Sequence, residues 1–469
     1  MPTHHMLIDG RLIGGAATLP VVDPATEEVF AHAPDCSAEE LDQAIDAARR
    51  AFPAWRSTDI EKRRALLAQM ASRIGPHVAA LAESLTREQG KPTQAALREL
   101  DSTLRFMKGQ CELQLPELVN EDTPTRRSIT SRVPIGVVAA LAPWNFPVLL
   151  AWWKVIPALL AGNTIVLKPS PLTPLTVLRI GELLADLLPP GVLNVISGGD
   201  NLGPLLTAHT GVDKVSFTGS TQTGKRVMES AAGTLKRLTL ELGGNDAAIV
   251  LPDVDVERLV PTLFWSAFTN SGQVCIASKR VYLPRERYDE IAQAFVAYAR
   301  TVKVGPGLAP DSQLGPVQNR RQYERVRELV EHSRREGLRV LFEGEAPAGP
   351  GYFIPVTLFD NPPESSRVVA EEPFGPVLPL LSYDTLEDAI TRANASPYGL
   401  AGSVWGSDEA QALAVASRLE TGTVWINEPM YLAPNAAFAG HKQSGLGVEH
   451  GAEGLLGFTE PQTIVLRRA

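Results

Sequence analysis

The chain has 469 residues, 44% hydrophobic and 21% charged, a globular composition at a length that allows a sizeable core. Its 44 basic and 53 acidic side chains leave a net charge of −9, which excludes the basic surface a nucleic-acid partner needs and points to a small-molecule substrate. No apolar run reaches the roughly 18 residues of a membrane span, Met1 to Pro20 lacks the pattern of a signal peptide, and Cys36, Cys111 and Cys275 form neither a disulfide framework nor a metal-binding pair, so a cytoplasmic protein without metal is expected.

Ser37 and Glu40 form a capping-box pattern that opens a helix with apolar positions at Leu41, Ala44, Ile45 and Ala48, and helical spacing continues to about Leu113. Residues 114 to 132, with Pro116, Pro124, Arg126, Arg127 and Arg132, break that period and read as an extended, projecting segment. From Gly136 to Leu251 short apolar runs alternate with helical stretches: Val137 to Leu141, Thr164 to Leu167, Val192 to Ile196, Val215 to Phe217 and Ala247 to Leu251. That alternation predicts a Rossmann-like, doubly wound parallel sheet, with ligands beyond the carboxyl ends of its strands. Those ends are Pro143 to Pro147, Lys168 to Ser170 and Thr218 to Gly224. A second α/β stretch runs from about Asp246 to Gly440, and there is no internal repeat.

Two glycine-rich strings imitate nucleotide motifs. Gly219-Ser-Thr-Gln-Thr-Gly224-Lys225-Arg226 approaches a P-loop, but Arg226 stands where a hydroxyl must hold Mg²⁺. A strand-to-helix turn of this kind still offers N–H groups to a phosphate. Gly445-Leu-Gly447-Val-Glu-His-Gly451 is one residue too long for a dinucleotide motif and reads as a loop.

By itself Cys275, in Asn270-Ser-Gly-Gln-Val-Cys275, is either a small buried hydrophobe or a thiol exposed by the turn at Ser271 and Gly272. Glu241 closes the run Leu238-Thr-Leu240 before Gly243-Gly244; it is either a cap or ion-pair member, or a carboxylate placed for a raised pKa.

Six strings occur in order: Pro143-Trp-Asn-Phe-Pro147, Leu167-Lys-Pro-Ser170, Phe217-Thr-Gly-Ser-Thr221, Glu241-Leu-Gly-Gly244, Gly272-Gln-Val-Cys275 and Glu371-Glu-Pro-Phe-Gly-Pro376. With them the chain resembles the aldehyde dehydrogenase superfamily over nearly its whole length. The resemblance implies oxidation of an aldehyde to the acid with NAD or NADP. It makes Cys275 the nucleophile, Glu241 the base that activates water, and Asn145 the oxyanion donor beside the Cys275 N–H. Lys154 and Glu449 match a proton path to the base. Trp144, Lys168, Ser170, Gly219, Ser220, Leu242, Gly243, Glu372 and Phe374 match cofactor positions; Phe146, Leu150, Trp153, Met430, Leu432 and Phe438 match the substrate tunnel. The chemistry suits these residue types: thiolate addition makes an alkoxide that can expel hydride, amide donors stabilise that oxyanion, and a base speeds thioester hydrolysis. Glu241 also points to water rather than coenzyme A as acyl acceptor.

By the same resemblance, residues 1–115 and 135–243 form a dinucleotide-binding domain and residues 244–443 a catalytic domain. Residues 116–134 and 455–469 form a small β oligomerisation element that makes a homodimer or homotetramer. Three stretches depart from the pattern. Pro171 replaces a glutamate that in many NAD-using members binds the adenosine ribose, which opens the site to NADP while the reading leans to NAD. Ala437-Phe438-Ala439-Gly440 replaces Pro-Phe-Gly-Gly, and Val448 replaces an arginine. The apolar tunnel positions imply a neutral, hydrophobic aldehyde. The rival readings are a P-loop phosphotransferase, a cofactor-independent thiol esterase and a catalytically silent relative.

Overall fold

A computed structural model describes residues 4–428 and 430–468. Apolar, β-branched runs such as Thr164-Ile-Val-Leu-Lys168 are buried on every residue, as strands covered by helices on both faces must be. Five strands, Leu193–Val195, Thr164–Lys168, Val137–Leu141, Lys214–Thr218 and Arg237–Glu241, lie side by side and parallel in that order. The registers Leu141↔Lys168 and Thr218↔Glu241 bring Lys168, Thr218 and Glu241 to one carboxyl-terminal edge. The strands expected from the apolar runs are present, their ends differing by a residue or two.

Short antiparallel strands extend this sheet at both ends. Met6–Ile8 and Arg11–Ile13 flank Leu193–Val195, three-residue elements too brief to show a period in the sequence. At the other end Gly445–Leu446 pairs with Arg237–Glu241 through Leu240↔Leu446 and Glu241↔Gly445. The loop expected over Gly445 to Gly451 is therefore partly a sheet edge, and it lies against the proposed base.

The helix Ala38–Arg56 carries the expected capping box, and Ile60–Ile74, Val78–Gln89 and Thr93–Gln110 follow it. A second sheet of seven strands holds Asp246–Val250, Ser278–Pro284 and Ala401–Trp405 at its parallel centre, between two further apolar clusters. Thr459–Arg467 pairs antiparallel with Arg126–Pro134 along its whole length, and Leu118–Asp122 completes a three-stranded sheet. Among the described residues no helix is long and apolar enough to cross a membrane.

Candidate active site

Cys275 follows three consecutive residues with left-handed backbone: Asn270, Ser271 and Gly272, at φ 53°, 56° and 72°. Such a run is costly for the first two and survives only where neighbours over-determine it. Here Ser271 Oγ donates to Gly315 O at 2.7 Å, Gln273 Nε2 donates to Asn270 O at 2.9 Å, and Gln318 N donates to Gln273 Oε1 at 2.8 Å. Gly272 has no room for a side chain, since a Cβ would lie 2.2 Å from Gly375 O. The Cys275 loop is thus seated on the Glu371-to-Pro376 string.

Asn145, on the turn before the helix Pro147–Ala161, donates through Nδ2 to Gln273 O at 3.0 Å. An amide nitrogen has two N–H groups, so one is left for an oxyanion beside Cys275. The Asn145 carbonyl accepts from Lys91 Nζ at 2.9 Å and from Asn270 Nδ2 at 3.1 Å. Lys91 is in turn ion-paired with Glu99 at 2.5 Å, both side chains fully buried, and Glu99 Oε1 accepts from Val148 N and Leu149 N at the start of the same helix. Sequence reasoning missed Lys91, Glu99, Asn270 and Gln273, because a Lys and a Glu eight residues apart look like ordinary surface charges.

Burial pushes the Cys275 thiol up to about 12; Lys279 opposes this, while Glu372, Asp246 and Glu241 add to it. Lys279 Nζ donates to Cys275 O at 2.6 Å and lies 3.5 Å from Glu372 Oε1. Lys279 is a further residue the sequence did not single out, although a Lys-Arg pair inside the fully buried strand Ser278–Pro284 is itself a signal.

Glu241 is 4% exposed, and among the described residues neither carboxyl oxygen has a hydrogen-bond partner. Its pKa is raised well above the ordinary carboxylate range, first by burial and then by the charge of Glu449, with Lys154 opposing. Lys154 Nζ donates to Glu449 Oε1 at 2.6 Å and to Thr218 Oγ1 at 2.7 Å. Glu449 is held by two backbone bonds to Phe438, each 2.7 Å, so the Ala-Phe-Ala-Gly segment pins that carboxylate.

The tunnel positions meet on the helix Pro147–Ala161 and the carboxyl-terminal loops. Leu150 and Trp153 are buried, Phe438 lies 5.9 Å from the Trp153 ring, and Phe146, Met430 and Leu432 are half-buried against the same core. His450 joins them unannounced, 4.0 Å from Trp153 and 4.9 Å from Phe106. Burial first, then Lys154, brings its pKa down to about 3, so the ring is neutral.

The cofactor positions form a second group along the sheet edge. Lys168 is buried, and among the described residues its ammonium donates only to Pro169 O, at 3.4 Å. Ser170 Oγ accepts from Leu172 N. Gly219 N donates to Glu241 O at 3.0 Å, and Ser220 caps the helix Thr221–Ala232, whose amino end can receive a phosphate. Leu242 N donates to Ser444 O at 2.8 Å. A Cβ on Gly243 would meet Glu372 Oε2 at 2.5 Å, and Glu372 Oε1 accepts from Gly244 N at 3.2 Å. Trp144 packs edge-on against Phe374 at 5.3 Å, and Gln322 Nε2 holds the Pro373 and Phe374 carbonyls. A buried, weakly bonded ammonium, a capped helix end and a glycine crevice suit an anionic dinucleotide. They do not suit a P-loop: Lys225 is exposed and its ammonium is taken up by Gln443 Oε1 at 2.9 Å.

A doubly wound sheet with a dinucleotide edge, facing a half-buried thiol with an amide donor and an isolated carboxyl, defines a thiol-dependent oxidoreductase. Residues 13–464 match the aldehyde dehydrogenase family, and the chain belongs to that family. It is 41% identical to a probable aldehyde dehydrogenase from Pseudomonas sp over 466 residues, covering 99% of this chain and 94% of that protein. It is 36% identical to phenylacetaldehyde dehydrogenase from Pseudomonas fluorescens, covering 99% and 96%. The NAD+ complex of a Bacillus cereus aldehyde dehydrogenase superposes with a TM-score of 0.97 at 35% identity, covering 99% of this chain and 97% of that one. Neither the phosphotransferase nor the esterase reading receives support from these relatives.

Proposed function

We propose that the protein oxidises neutral, hydrophobic aldehydes to carboxylic acids with NAD(P)+, by way of a thiohemiacetal and then a thioester on Cys275. The observation that carries the reading is Glu241: a buried carboxyl with no hydrogen-bond partner among the described residues, beside the thiol. Nothing structural rewards such a group, and burying it without a partner costs about 1–3 kcal/mol or more. A base reserved for a transient water accounts for it.

Charge coupling orders the steps. A charged Glu241 disfavours ionisation of Cys275, so Glu241 is neutral when the thiolate attacks, the thiol proton having passed to it. The second N–H of Asn145, with the Cys275 N–H, stabilises the alkoxide, a contribution of about 10²- to 10³-fold for each donor. A bound nicotinamide dinucleotide would supply the hydride acceptor; Lys168 and Ser170 would hold its adenosine end, Gly219, Ser220 and Trp144 its pyrophosphate, and Leu242, Gly243, Glu372 and Phe374 its nicotinamide end. Acylation removes the charge from sulfur, so Glu241 ionises more easily at the stage when water must be deprotonated. Lys154 and Glu449 then relay the proton away from Glu241.

The relative named for phenylacetaldehyde supports an apolar substrate, as does the neutral lining formed with His450. Lys91 lies 3.9 Å from the Phe146 ring centre, but its charge is matched by Glu99. We further propose NAD as the preferred cofactor, a cytoplasmic location, a division into dinucleotide-binding and catalytic domains, and a homodimer or homotetramer. The assembly rests on the sheet built by Thr459–Arg467, which leaves Leu118, Ile464 and Val465 at least 60% exposed.

The test is mutational. Cys275→Ala abolishes oxidation, and Glu241→Gln leaves a burst of reduced cofactor followed by slow turnover. Wild-type steady-state rates in either variant overturn the assignment.

A further inference from the structure

Pro171 leaves the adenosine-ribose end without a carboxylate from its own loop. Two others reach the same place from distant segments. The strand Glu28–Asp35 ends beside the loop that follows Leu193–Val195, and the two are stitched together. Cys36 N donates to Ser197 O at 2.9 Å, Ser197 Oγ donates to Pro34 O at 2.6 Å, and Gly199 N donates to Asp35 Oδ1 at 3.2 Å. Leu193–Val195 neighbours Thr164–Lys168, so this loop lies next to Lys168.

The Lys168 ammonium is buried, has one long hydrogen bond to Pro169 O, and among the described residues has no carboxylate within 4.0 Å. Burial brings it down to about 8, and the charges that oppose this are, in order, Asp200, Asp35 and Cys36. Asp35, held by Gly199 N, and the next residue along that loop, Asp200, thus border the strand end that carries Lys168 and leave a gap beside its ammonium. A ribose diol offers that gap hydroxyl donors; a 2′-phosphate brings a charge of about −1.5 to −2, which two carboxylates repel and one lysine does not balance.

We propose that Asp35 and Asp200 stand in for the carboxylate missing at Pro171, and that by charge they select NAD+ over NADP+ at Lys168. The proposal rests on the dinucleotide-dependent reading above. Selectivity by a carboxylate contributed from the strand before the first helix, rather than from the lysine's own loop, explains how a proline is tolerated there.

Equilibrium binding tests it without turnover: titrate NAD+ and NADP+ separately into wild-type protein, Asp35→Asn, Asp200→Asn and the double variant, by calorimetry. An asparagine at position 35 keeps an oxygen for Gly199 N, so the loop stays closed. The wild type is expected to bind NAD+ about tenfold or more tighter than NADP+, and the double variant to bind NADP+ about tenfold tighter than the wild type does. Asp200→Asn alone, on the turn before the helix Leu202–Ala208, gives the same direction of change if the double variant fails to fold. A wild-type preference for NADP+, or NADP+ affinity unchanged in folded variants, overturns the inference while leaving the cofactor reading intact. Binding of neither nucleotide to the wild type overturns both.

Discussion

Lys91→Met separates the two jobs of a buried ion pair. Lys91 and Glu99 are 2.5 Å apart with side chains 1% and 0% exposed, and Lys91 also donates to the Asn145 carbonyl at 2.9 Å. Removing the ammonium leaves Glu99 buried with two backbone N–H donors and no countercharge, a loss of about 3–5 kcal/mol. At about 2–4 °C per kcal/mol for a folding unit of this size, the melting temperature falls by about 6–20 °C. Asn145 meanwhile loses one of two bonds to its carbonyl and keeps Asn270. Its oxyanion donor loosens, and kcat drops by about tenfold, short of the 10²- to 10³-fold for losing the donor outright. The double variant Lys91→Met with Glu99→Gln removes the stranded charge, so it regains most of the melting temperature but not kcat. The assay pairs a thermal melt with steady-state kinetics on one aldehyde. A single variant melting within 2 °C of wild type by the scale above, or a double variant that also recovers kcat, refutes the reasoning.

Three further outcomes follow from named contacts. In Glu449→Gln a negative charge that raises Glu241 is lost while Lys154 remains, so the Glu241 pKa falls; the acidic limb of the deacylation pH profile moves to lower pH, and a limb that stays or moves up contradicts the coupling. Gly272→Ala places a Cβ 2.2 Å from Gly375 O at a φ of 72°, so aldehyde oxidation and dinucleotide affinity decline together, by at least about tenfold each; a variant with normal kinetics shows that the two loops are not seated on one another. Ile464→Asp puts charge on an exposed apolar strand and is expected to lower the mass measured by light scattering, whereas an unchanged mass places the assembly surface elsewhere.

What could be read from the chain beforehand depended on how far apart the cooperating residues lie. The central strands announce themselves because four consecutive buried residues such as Val137 to Ala140 must be apolar whatever surrounds them. Cys275 and Glu241 announced themselves only in company: each alone is compatible with a core thiol or a strand cap, and the six ordered strings made the difference. The supporting residues could not be found that way. Lys91, Glu99 and Lys279 are charged side chains that composition assigns to the surface, yet all are at most 3% exposed. Their partners come from other segments: Lys279 reaches Glu372, and Lys91 reaches the Asn145 carbonyl 54 residues on. A buried charge is tolerable only once its partner arrives, so the sequence cannot show it until the fold is known. The same physics makes Lys168 informative. With Pro171 beside it, the local string says only that a carboxylate is missing; the fold adds Asp35 from 133 residues earlier and Asp200 from 32 later. On the proposal above, cofactor selection is a property of three loops rather than of one motif, which is why no single string could have revealed it.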